Sequence, residues 1–196
     1  MTILKKFVDV VEMISEFFGW LSQMIVVLLI VIGFGNVVLR YVGQYMGTKL
    51  TSNAFIEWQW YLYTLVFLFG FAYILKNGIN VRVDFWFANQ SDRRKAWIDL
   101  IGHLLALIPF CILAIYVTWN PVLRSWGLLP NGTWGTWEIS PDPDGLPRAP
   151  IKSMVIVAFV MLLLQAIAEV IKLIATLRGQ AHLFQLEKLD APLRIE

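Results

Sequence analysis

The residues of this chain able to do chemistry in a membrane are few. They are Glu57 beside Trp58 and Trp60, Arg40 before them, Arg82 with Asp84, Asp99 with His103, and Glu169 with Lys172. A carboxylate at a membrane span has two readings: a proton-coupling group, as small exporters use within a span, or an ion-pairing group that fixes a helix end. Arg40 and Glu57 fall on one side of the membrane in the span assignment below. They can therefore pair with each other, meet a partner subunit, or stand as solvated flanks. Arg82 and Asp84 would share a face of an extended segment and diverge on a helix. Asp99 and His103, four apart, can meet on one helix face, where a packed histidine and a ligand or proton-relay role are both open. Glu169 and Lys172 are spaced to neutralise each other and reach toward the interface.

Other chemistries lack their residues. His103 and His182 are the only histidines and lie at different expected depths, so a transmembrane bis-histidine haem is disfavoured. One cysteine, Cys111, sits in an apolar run and is expected to pack as a small hydrophobe. There is no cysteine and histidine cluster for zinc, no GxxxxGK phosphate loop and no nucleophile–base pair for an intramembrane protease. No catalytic residue, metal ligand or cofactor is expected, and the chain is not expected to be an enzyme. The middle of every span lacks an ionisable residue, which argues against a complete translocation site for a charged solute.

The elements that must position these groups are membrane helices. The chain has 196 residues, of which 58% are hydrophobic and 15% charged. Its mean hydropathy of +0.66 is far above that of a soluble domain. A net charge of +2 is too mild to suggest a nucleic-acid partner. The fold expected is all-α and integral to the membrane: four transmembrane helices, an N-terminal amphipathic helix, and an interfacial segment between spans two and three. One membrane domain, residues 1–196, is expected, with spans near 17–40, 58–76, 97–119 and 151–175.

Before the first span, Ile3, Leu4, Phe7, Val11, Ile14 and Phe18 recur at helical spacing, opposite Lys5, Asp9, Glu12 and Glu16. That pattern suits a helix on the membrane surface or the solvated start of span one. Gly33 and Gly35 in span one, and Gly70 with Ala72 in span two, read as packing faces. Trp58, Trp60, Tyr61 and Tyr63 mark a headgroup boundary at the start of span two. Asn77-Gly78 should break that helix, and Pro109 should kink or loosen span three. Residues 120–150, with six prolines and Trp126, Trp134 and Trp137, read as an irregular outward loop, and residues 177–196 as a cytoplasmic tail. Eleven of the 16 lysines and arginines fall on the side of the termini, whereas Arg40, Lys49, Arg124, Arg148 and Lys152 fall on the other. That excess places both ends in the cytoplasm.

Three runs carry a family resemblance: Val37-Val38-Leu39-Arg40-Tyr41, Glu57-Trp58-Gln59-Trp60-Tyr61 and Asn80-Val81-Arg82-Val83-Asp84. In this order they resemble the small, DctQ-type membrane subunit of tripartite ATP-independent periplasmic (TRAP) transporters. The stretch from Ser140 to Lys152 is similar to the loop before the last span in members with longer outward loops. Asn80 stands where that family's HVRVD-like run has histidine. The resemblance implies a multi-pass protein of the bacterial inner membrane that binds lipids, a large permease subunit and a periplasmic substrate-binding protein. It further implies a scaffold role in sodium-coupled uptake of an organic acid, with sodium and substrate sites in the large subunit. Arg40, Glu57, Trp58, Trp60, Arg82 and Asp84 are then candidate interface residues. The competing reading is a free-standing four-helix membrane protein, either a small exporter or an assembly factor.

Overall fold

Each long apolar stretch forms one helix that runs past the uncharged window at both ends. The computed structural model describes residues 2–79, 87, 89–180 and 184. Helix α1 spans Thr2–Met46, α2 Asn53–Lys76, α3 Asp92–Ser125 and α4 Ala149–Leu177, and all four are long and apolar enough to cross a bilayer. Arg82, Asp84, His182, most of the interfacial segment and nearly all of the tail lie outside the described residues.

The four helices end in the same way. Gly47, Gly78, Gly127 and Gly179 all have positive φ. The amide of the residue after each glycine reaches back five positions along the turn, as in Thr48 to Gly43 and Ile79 to Ile74, or Leu128 to Leu123 and Gln180 to Ala175. This Schellman closure satisfies carbonyls that would otherwise be left open at the helix end, and it needs a residue that tolerates left-handed backbone. The break expected at Asn77-Gly78 is one instance of it. Gly47 is another.

Span three loosens before its proline rather than at it. His103–Leu107 form a π turn in which the Ile108 amide bonds the His103 carbonyl. Pro109 has no N–H, and its ring would collide with the carbonyl four residues back, so a widened turn just upstream accommodates it. The His103 Nδ1 lies 2.6 Å from the Asp99 backbone carbonyl, which requires the proton on Nδ1. The expected contact between these residues is thus made through the main chain.

Helix α4 packs against the other three helices, and α1 lies along α2. Ala158, Ala166, Ala168 and Ala175 on α4 are buried, which lets backbones approach closely where lipid offers no competing hydrophobic drive. Phe159 of α4 stacks against Phe71 of α2 and Phe110 of α3, tying three helices through aromatic edges. On α1 the close approach is at Gly19, where any Cβ would enter the Tyr73 ring of α2.

The amphipathic N-terminal segment is the first part of α1, continuous with span one. At 45 residues and about 1.5 Å per residue, α1 is more than twice as long as the roughly 30 Å hydrocarbon core is thick. Its apolar stripe is divided: Val8 and Val11 bury against Ala168 with Phe7 alongside, while Ile3 and Leu4 remain exposed. On its acidic side Glu12 meets Lys172 of α4 and Glu16 meets Lys76 of α2, while Asp9 stays exposed.

Candidate functional site

Two polar clusters sit at opposite ends of the bundle, and each centres on a lysine of α4. At the end holding the chain's N-terminus, Lys172 Nζ lies 2.8 Å from Glu12 of α1 and 2.6 Å from Glu169, one turn away on α4. Gln165 donates to Glu169 at 2.9 Å and accepts from the Ser15 hydroxyl at 2.8 Å. Ser15 and Gln165 are both fully buried. Next to this chain, Lys76 at the end of α2 meets Glu16 at 2.5 Å. Ser15, Gln165, Glu169, Lys172 and Glu12, drawn from both ends of the sequence, thus form one connected network in which Lys172 is matched by two carboxylates and the Gln165 amide is bonded on both its oxygen and its nitrogen, and Lys76–Glu16 is a separate pair beside it. Their chemical capacity is to lock α1 against α2 and α4.

At the other end the loop between α3 and α4 is ordered by the helices beneath it. Glu138 accepts from Ser125 at the end of α3 and from Lys152 at the start of α4, both at 2.5 Å. Those two bonds, the lysine's first, hold the Glu138 carboxyl below the usual carboxylate range. Trp126 donates its indole N–H to Ser153 at 2.7 Å and sets its ring edge-on to Trp137. Farther along, the Ser140 hydroxyl and the Leu146 amide both donate to Glu57 at the start of α2. Tyr61 donates to the Pro147 carbonyl at 3.0 Å, and Asn53 to that of Pro143 at 3.2 Å. Within the loop, antiparallel bridges pair Leu128 with Trp134 and Ile139 with Pro147. Gly145 is required by close approach, since a Cβ there would lie 2.9 Å from the Asp142 carbonyl oxygen.

The site residues expected from sequence separate here. Glu57 is buried, and it turns to the loop. Arg40 is exposed on α1 and makes no ion pair with Glu57, so of the readings left open by sequence the pairing of these two within the chain is not made. Trp58 and Trp60 project outward, Trp60 at 72% exposure. A Cβ at Gly33 would meet only the end of the Gln59 side chain of α2, at 3.7 Å, and one at Gly35 would meet nothing within 4 Å. Glu169 and Lys172 pair as their spacing indicated, with Glu12 as a third member. The residues that sequence reasoning passed over are Glu12, Ser15, Gln165, Glu138 and Ser140. Gln165, a lone amide in an apolar run, and Ser15, small and polar beside it in space, carried a faint signal. Ser140 opens a stretch that carries the family resemblance, but nothing beside it in sequence points to Glu57.

Taken together, the helices and clusters define an integral membrane protein of four long helices whose polar groups tie it together internally. A comparison with family models matches residues 29–176 to the DctQ component of tripartite ATP-independent periplasmic transporters. The chain belongs to this family and is a small membrane component of a TRAP transporter. No curated protein and no solved structure matched it. The matched region runs from the C-terminal part of α1 through nearly all of α4 and includes the Glu57 loop tie.

Proposed function

We propose that this chain is the scaffold subunit of a sodium-coupled TRAP transporter that takes up an organic acid. It forms a single membrane domain in the bacterial inner membrane with both termini cytoplasmic, supports the large permease subunit, and offers its outward loop to the periplasmic binding protein. The observation that carries this reading is that the polar groups of both clusters are engaged with one another, as a strut requires and a translocation site does not. The excess of positive charge at the end holding the termini supports the orientation. The exposed Arg40, Trp58 and Trp60, and the side of α1 that carries Gly33 and Gly35, are the proposed contact surface for the permease, and Arg82 and Asp84, outside the described residues, are further proposed contacts. Sodium and substrate are assigned to the large subunit.

A free-standing exporter is not favoured, because Glu57, its best candidate carboxylate, is engaged by the loop. Mild-detergent purification from the native membrane should co-isolate a large polytopic protein. Sodium-driven uptake in vesicles should require this chain, that protein and a soluble binding protein together. Recovery of the chain alone as a stable monomer, or full uptake without it, would overturn the proposal.

A further inference from the structure

Where α3 ends and α4 begins, an open cleft is lined by Asn120, Pro121, Arg124, Ser125, Glu138 and Lys152. Its charges do not cancel. Glu138 is matched by Lys152 and by the Ser125 hydroxyl. Arg124 is exposed and, among the described residues, makes no ion pair, so the lining carries one positive charge in excess. Lys152 has three N–H groups, and its bond to Glu138 occupies one of them.

The cleft also has an apolar approach. Leu113, Tyr116 and Val117 precede Asn120 and Arg124 at helical spacing on α3 and are 59%, 77% and 59% exposed. They form a strip that leads from the cations toward the middle of the span. Trp119 and Trp137 are half-exposed near the same end of α3, as aromatic rings are at a headgroup boundary. A guanidinium at headgroup depth, a lysine with N–H groups to spare, and an apolar strip below them match the parts of one ligand.

We propose that this cleft binds the phosphate of an anionic phospholipid, with Arg124 and Lys152 on the phosphate oxygens and the acyl chains along Leu113, Tyr116 and Val117. Arg124 supplies a planar fork suited to two phosphate oxygens, Lys152 a point charge, and Asn120 an amide donor. Glu138 lies beside the phosphate, and its match with Lys152 keeps it from repelling the ligand. A free phosphate would meet the same cations but would not use the apolar strip.

The test uses the purified full-length chain in detergent, titrated with phosphatidylglycerol, with phosphatidylcholine of the same chains, and with inorganic phosphate, read by native mass spectrometry. The chain should prefer phosphatidylglycerol by roughly 5-fold or more, the scale of one cation acting near a membrane surface. Arg124→Gln should reduce that preference to less than about 2-fold, whereas Arg124→Lys and the control Lys49→Gln should keep most of it. Asn120→Leu, one turn away, should weaken binding and supplies a second probe of the cleft. Equal binding of the two lipids overturns the proposal, as does an unchanged preference in Arg124→Gln. Displacement of phosphatidylglycerol by equimolar inorganic phosphate would also overturn it, since the cleft would then read phosphate alone.

Discussion

Lys172 Nζ stands 2.8 Å from Glu12 Oε1, although 160 positions separate the two residues in sequence. The contact joins the start of the first helix to the end of the last, and Glu169 completes it from the next turn of α4. Removing the lysine leaves two facing carboxylates; removing Glu12 still leaves the pair on α4. Lys172→Met is therefore expected to lower stability by about 3 kcal/mol or more, and Glu12→Gln by about 1 kcal/mol. Unfolding in mixed micelles measures both, and equal losses would show that the cation does not hold the cluster together.

The loop is tied to α2 through Glu57, which accepts from Ser140 and Leu146. Glu57→Ala should release residues 140–147 while leaving the four helices formed. Limited proteolysis should then cut the loop at least several times faster, with Ser140→Ala intermediate because the Leu146 bond remains. Cleavage at the parental rate in Glu57→Ala would mean that the tie does not order the loop.

The Glu138 contact sets a pH dependence. Its folded carboxyl titrates below the ordinary value of 4.5, chiefly through Lys152 and then Ser125. A depressed carboxyl stabilises the folded loop above its unfolded pKa, and that contribution is lost as pH falls through the folded value. Loop protection from amide exchange should thus be constant from neutral pH down to about 5 and decline only below the ordinary carboxylate range. Both partners are more than a third exposed, so the effect should amount to less than about 1 kcal/mol. Lys152→Met lets the folded carboxyl rise toward its ordinary value and should shrink this decline; an identical profile in that variant would refute the assignment.

Glycines separate packing within the chain from packing against a partner. Gly19→Ala places a methyl in the Tyr73 ring and should destabilise the chain itself, by about 1–3 kcal/mol. Gly35→Leu meets open space, so the isolated chain should melt no lower than the parent. On the proposed scaffold role, Gly35→Leu should nevertheless reduce recovery of the large subunit in co-purification. Unchanged recovery would remove this face from the proposed interface.

Much of the fold was legible because hydropathy and helix ends are local properties. The uncharged run from Phe17 to Leu39 needs only its own composition to demand a membrane helix. Glycine after a helix likewise reports its own backbone, as the break at Asn77-Gly78 shows. The polar clusters were less legible. Glu169 and Lys172 are neighbours on one helix, so spacing alone pairs them. Nothing near Glu12 in sequence reveals that it joins them, because its partner sits on a helix more than a hundred residues away.

By itself, the sequence determined a membrane protein of four long apolar helices, the residue runs that resemble the DctQ family, and the bias of positive charge. Only the tertiary structure decided that Glu57 turns to Ser140 and Leu146 and not to Arg40, and that the acidic face of α1 meets lysines of α2 and α4. The physical reason is that crossing a bilayer is fixed by composition along one helix. The partner of a charge is fixed by which distant helix is brought beside it, and that depends on the packing of small residues such as Gly19 and Ala168.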